Sequence, residues 1–188
     1  WREYMKNKTV IILMFFVFVC FSMVEGLPLA PSAGAHISVK ETEPFLYVSF
    51  RHTGPYSEME PVILEMMDHM QNQNLTPTGP MMTFYYTDPV EGQEASAEWA
   101  VAFPVTQASL IQAPLEEGRW EFNQVASTLH TGPYDKTGDT IEEMLIWIQE
   151  QGYERDGPIV GTYLNMPDES TPPSQLKTEI WIPIKKID

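Results

Sequence analysis

The sequence has 188 residues, 43% hydrophobic and 12% aromatic, enough to fill one compact core. Its formal net charge of −15 repels phosphate backbones, so nucleic acid is not expected as a partner, and any cleft would concentrate cations. The single cysteine, Cys20, excludes an internal disulfide and leaves the chain beyond residue 35 without thiolate chemistry or Cys-ligated zinc.

The first 35 residues differ in kind from the rest. Trp1–Tyr4 read as sequence ahead of a start at Met5, and Lys6 and Lys8 as a short basic head. Val10–Val24 follows, apolar except for Ser22, as in a signal-peptide core. It falls short of the ~20 apolar residues that span a bilayer comfortably. Gly26 and Ala33–Ala35 supply small residues suited to cleavage. Residues 1–35 are therefore expected to be a signal peptide, or an N-terminal membrane anchor through residues 10–24, with a short linker. The product would be secreted, periplasmic or held at the cell envelope. The remainder carries eight Lys/Arg against twenty-four Asp/Glu, a net charge of −16.

Residues 36–188 are expected to form one domain. "PFLYVSFRH" (44–52) is rich in aromatic and β-branched residues and reads as a strand. HTGPY (52–56) ends it, because Gly-Pro marks a turn and proline cannot continue a ladder. A helix is predicted over about Glu58–Gln71, with Val62, Met66, Met67 and Met70 at helical spacing. Gly79-Pro80 opens the strand "MMTFYY", the acidic loop "DPVEGQE" follows, and "WAVAFPV" (99–105) closes the unit. The order then recurs. "RWEFNQVASTLH" is the strand, HTGPY (130–134) the turn, and about Thr140–Gln151 the helix, capped by Gly152. Gly157-Pro158 opens "IVGTYL", and "TEIWIPI" (178–184) ends the unit after the acidic loop "PDESTPPS".

The two pentapeptides lie 78 residues apart, and the offset persists through Tyr85/Tyr163 and Pro89/Pro167 before becoming 79 at Pro104/Pro183. Repeats of about 37–105 and 117–184 thus account for the domain. The expected fold is α+β: tandem duplicated β-α-β-β units forming an antiparallel sheet, both helices on one face, and a ligand cleft between pseudo-symmetric halves.

Strand alternation then selects a site. In the last strand Thr178, Ile180, Ile182 and Ile184 must pack under the helices, so Glu179 and Trp181 point from the opposite face. In the matching strand Val101, Phe103 and Val105 face the core with Trp99, and Ala100 and Ala102 stand where the other copy has Glu179 and Trp181. The expected cleft sets a lined wall against a vacant one. Tyr85 and Tyr163 are candidate flat walls, and Gly161 adds room if its face also borders the cleft. A carboxylate in a half-apolar cleft prefers a charged partner, and indole faces attract cations.

HTGPY after a strand, "DGPIVGTY" and the closing "TEIWIPI" resemble the GyrI-like (gyrase-inhibitor-like) domain, which also serves as the effector-binding domain of AraC- and MerR-type regulators. The resemblance covers about residues 36–186. It implies a cleft for flat, hydrophobic, often cationic molecules, as in multidrug binding, with Glu179 pairing the cation and Trp181, Tyr163 and Tyr85 around it. The chain departs from the regulators in showing no helix-turn-helix. Some members of that family hydrolyse strained electrophiles, and the haem-binding SOUL proteins share its architecture.

His52 and His130 occupy the same place in separate units and lack metal-ligand spacing, so they are expected to be structural, with no metal and no cofactor. Met59, Met66, Met67, Met70 and Trp147 fall on helix patterns and are expected in the core. The expected function is an exported small-molecule binder rather than an enzyme. The alternatives are a hydrolase in which Glu179 is the catalytic general base, and a haem or tetrapyrrole binder.

Overall fold

The computed structural model describes residues 36–89, 96–106, 111–167 and 171–187. The expected export or anchor segment, residues 1–35, lies outside the described residues, as do residues 90–94 and 168–170 of the two acidic loops. The described residues contain nine strands and two long helices. They run β1 (Ser38–Glu41), β2 (Phe45–Thr53), α1 (Met59–Asn72), β3 (Met82–Tyr85), β4 (Glu98–Pro104), β5 (Glu116–Trp120), β6 (Gln124–Thr131), α2 (Thr137–Glu150), β7 (Tyr153–Arg155), β8 (Ile159–Tyr163) and β9 (Lys177–Lys186).

The strands pair antiparallel into a curled sheet of order β1-β6-β9-β8-β3-β4-β2-β5, with β7 against the far end of β9. The element order β2-α1-β3-β4 recurs as β6-α2-β8-β9, and β3 and β8 meet at mid-sheet. The run "RWEFNQVASTLH" is two strands rather than one. β5 ends at Trp120 and pairs with β2, and β6 starts at Gln124 and pairs with β9. The short strands β1, β5 and β7 carry little apolar periodicity and are held by edge pairing.

Both helices cover one face of the sheet. Val62, Met66 and Met70 from α1, and Ile141, Met144 and Ile148 from α2, pack with Trp99, Val101, Phe103, Ile180, Ile182 and Ile184. The alternation read from β4 and β9 therefore holds, with Trp99 on the core side. Trp147 packs against this core while remaining partly exposed. α2 starts earlier than its apolar spacing suggests, because a 3-10 turn over Tyr134–Lys136 feeds directly into it. Gly152 closes α2 with φ 73°, a left-handed conformation that costs glycine least.

HTGPY is the strand-to-helix turn in both places. The two copies are clamped differently. His52 Nε2 lies 2.6 Å from Glu58 Oε2, whereas His130 Nδ1 meets Thr140 Oγ1 at 2.8 Å and its Nε2 meets the Pro133 carbonyl at 3.2 Å. A Cβ at Gly54 would come within 2.8 Å of both the His52 ring and the Glu58 carboxylate, so only glycine fits under that clamp.

Candidate functional site

Glu179 and Trp181 emerge on the face away from the helices. Cross-strand partners share a face, and Glu179 is flanked by Leu129 of β6 and Thr162 of β8, while Trp181 is flanked by Ser127 and Val160. β1 adds the outer edge here, placing Ser38 beside Ser127 and Lys40 beside Val125. Lys40 thereby reaches across two strands. Its ammonium Nζ donates to Glu179 Oε1 at 2.7 Å and lies 4.6 Å from the Trp181 ring centroid. Ser127 Oγ donates to the same carboxylate oxygen at 3.4 Å.

Glu179 is three-quarters buried, at 25% side-chain exposure, and Lys40 is 44% exposed. Burial alone would raise the Glu179 pKa. The Lys40 hydrogen bond, the nearby Trp181 N–H, the Lys40 charge and the Ser127 hydroxyl together outweigh it and hold the carboxyl below its usual range. The Trp181 N–H contributes through its dipole. It is buried and closes no hydrogen bond to any described residue. Next to the pair an open recess of about 370 Å³ is lined by His36, Ser38, Ser127, Thr128, Leu129, Leu164 and Glu179.

The wall expected to be vacant is filled. Ala100 and Ala102 do face away from the helices, but both are fully buried in a second apolar cluster with Met82, Phe84, Trp120, Val125 and Val160. Tyr47 of β2 stacks on Phe84 at 4.6 Å. Trp120 of β5 meets Phe45 at 5.9 Å, Phe84 at 6.2 Å, Phe122 at 4.9 Å and Trp181 at 5.8 Å. The small alanines make room for these rings, so they support an aromatic plug rather than a ligand wall. Burial, then the neighbouring Tyr86 hydroxyl, push the Tyr47 phenol up to about 12.

Tyr85, Tyr163 and Gly161 are also placed differently from expectation. Gly161 pairs with Ile180, Tyr163 with Thr178, and Tyr85 with Trp99 and Ile159, so all three belong to the helix side. The two tyrosine hydroxyls lie 3.4 Å apart, and Tyr163 also meets Thr83 Oγ1 at 3.1 Å. The HTGPY tyrosines cap them edge-on, Tyr56 against Tyr85 at 5.6 Å and Tyr134 against Tyr163 at 4.9 Å. Burial raises both phenol pKa values, that of Tyr85 well above 10. These residues are a buried hydroxyl cluster on the face opposite Glu179 and cannot line a site with it.

Reasoning from the sequence did not single out Lys40, Ser127, Trp120, Tyr47 or Phe84. The one signal for Lys40 is that it precedes Gly118 by the same 78 positions that separate the pentapeptides. At Gly118 a Cβ would collide with the Tyr47 ring, which therefore takes the space beside β5 that corresponds to the one Lys40 fills beside β6. Among the described residues no three His, Cys, Asp or Glu side chains gather to hold a metal, and no helix is long and apolar enough to cross a membrane.

No match was found among curated proteins. Among solved structures, EcmrR in its complex with DNA is similar at a TM-score of 0.72 and 18% identity, covering 82% of this chain and 59% of that one. The chain thus spans about three-fifths of that protein's length. The EcmrR C-terminal domain alone gives 0.73 and 18%, covering 81% of this chain and 99% of that one. SAV2435 bound to tetraphenylphosphonium gives 0.53 and 14%, with 79% and 93% covered. At these identities the likeness is one of fold. The family profile of the GyrI-like small molecule binding domain matches residues 35–185, so the chain belongs to that family.

Proposed function

We propose that this GyrI-like domain binds a planar or bulky hydrophobic cation on the sheet face away from the helices, with the charge at Glu179 and an aromatic surface against Trp181. One observation carries the reading: a cation already sits there, the Lys40 ammonium at 2.7 Å from the carboxylate and 4.6 Å from the indole centroid. A charged carboxylate, a half-buried indole and a packed aromatic cluster behind them favour a lipophilic cation. The binding of tetraphenylphosphonium, an aromatic cation, by SAV2435 supports the same ligand class.

A carboxyl held below its usual range is a poor general base, which favours binding over the hydrolase alternative. The recurrent element order at a fixed sequence offset supports a duplicated β-α-β-β unit in which only one copy kept an open site. Residues 1–35 would export or anchor this binder, placing the site outside the cytoplasm.

The test is calorimetric titration of wild type and Glu179→Gln with tetraphenylphosphonium and with neutral triphenylphosphine oxide. Loss of the charge should weaken cation binding about ten-fold or more and leave the neutral compound unchanged. Equal cation affinity for the two proteins would sink the reading.

A further inference from the structure

The Lys40 ammonium takes the position that an incoming cation needs. One carboxylate cannot fully neutralise two cations at this distance, so Lys40 and a ligand must compete. Resting on the cation reading above, we propose that Lys40 is a tethered internal competitor that sets the selectivity of this site, admitting weakly hydrated aromatic cations and excluding small hydrated amines.

Three features make Lys40 displaceable. It rides on β1, a four-residue strand whose residues are all exposed and which pairs only with β6 among the described residues. Its side chain is 44% exposed on a flexible four-carbon stem, so release returns the ammonium to water by rotamer changes alone. The fold does not need a lysine at such an edge position, since Gly118 serves on β5 and gives its space to Tyr47.

Two others make it an effective competitor. Thr42, two residues on, is fixed by its backbone N–H to the Asn123 carbonyl at 3.0 Å, by its hydroxyl to the Phe122 carbonyl at 2.5 Å, and by the Trp120 N–H at 3.1 Å. That anchor keeps the ammonium at a local concentration in the millimolar range or above. The ammonium also makes both contacts available to a simple cation, the ion pair and the indole face. A small amine in solution gains nothing that Lys40 does not already have. A bulky aromatic cation is weakly hydrated and brings apolar surface to the exposed Leu129 and Leu164 of the recess, which the lysine stem does not line.

The experiment titrates the full chain as wild type, Lys40→Met and Lys40→Arg with tetraphenylphosphonium, butylammonium and triphenylphosphine oxide. Lys40→Met should bind tetraphenylphosphonium about ten-fold tighter and gain measurable butylammonium binding. Lys40→Arg, whose guanidinium can pair with Glu179 and lie on the Trp181 face, should bind tetraphenylphosphonium no tighter than wild type, and the neutral oxide should not gain affinity in Lys40→Met. Unchanged or weaker tetraphenylphosphonium binding by Lys40→Met overturns the competitor. If Glu179→Gln still weakens the cation, the failure is confined to Lys40. If neither variant changes affinity, or no protein binds the cation, the underlying cation reading falls as well. Matching melting temperatures for wild type and Lys40→Met show that the fold is intact.

Discussion

Replacing Trp120 by alanine tests whether the face away from the helices is a packed plug or an open wall. Trp120 is 1% exposed and touches Phe45, Phe84, Phe122 and Trp181 with ring centroids 4.9–6.2 Å away. Truncating a buried tryptophan costs about 3–5 kcal/mol when its surroundings cannot collapse. Collapse is hindered here because the flanking strands are fixed by the β2–β5 and β6–β9 ladders. For a domain of this size each kcal/mol lowers Tm by about 2–4 °C, so the drop should be about 6–20 °C. The change also removes the N–H that holds Thr42, which loosens β1, and the ring that backs Trp181, so cation affinity should fall. Thermal melts followed by far-UV circular dichroism measure the first effect, and titration with tetraphenylphosphonium well below Tm the second. A Tm loss below about 2 °C would refute the plug and restore the idea of a vacant wall at Ala100 and Ala102.

Two further outcomes separate the two faces of the sheet. Tyr163→Phe removes a hydroxyl shared with Thr83 and Tyr85 and should cost about 1–3 kcal/mol in denaturant unfolding, while a more than three-fold loss of cation affinity would put the ligand on the helix side. Glu179 has a pKa lowered from 4.5, so its contribution is fully present above about that pH and is lost as pH falls through the lower folded value. The stability gap between wild type and Glu179→Gln should be about 1 kcal/mol or less near neutrality, since water screens the half-exposed Lys40, and should close on acidification; a gap that widens below pH 4 would contradict this sign.

The facing of the candidate site was legible in the sequence where one strand's own alternation decides it. Ile180, Ile182 and Ile184 can only go under the helices, and that fixes Glu179 and Trp181 on the other side. Thr83 with Tyr85, and Gly161 with Tyr163, also share a face as alternation requires. Which face they share depends on register against β9 and β4, and a one-residue slip reverses it. No local pattern carries that information. Small residues at 100 and 102 signal space only if nothing distant fills it, and here Tyr47 and Trp120 arrive from β2 and β5. Lys40 was the least legible, standing in a short exposed edge strand 139 residues from the carboxylate it meets.

The recurring pentapeptide explains how the two faces can differ so much in role. Its tyrosines, Tyr56 and Tyr134, pack edge-on against Tyr85 and Tyr163 and tie each helix to its half of the sheet. That work is done entirely on the helix side, so it constrains nothing on the far face. There the first half sets Arg51 4.1 Å from the Tyr86 ring centroid, 3.7 Å from Glu116, and lays Tyr47 over Gly118. At the equivalent offsets stand Leu129 and Leu164 of the second repeat and Ser38 of β1, which pairs with β6, and these line the recess beside Glu179. The aromatic plug gives the sheet a second core, while Glu179, Lys40 and Trp181 leave polar groups and open space beside it. The packed plug and the proposed site thus occupy different parts of the same face, which is why exchanging Lys40 should change affinity without unfolding the protein.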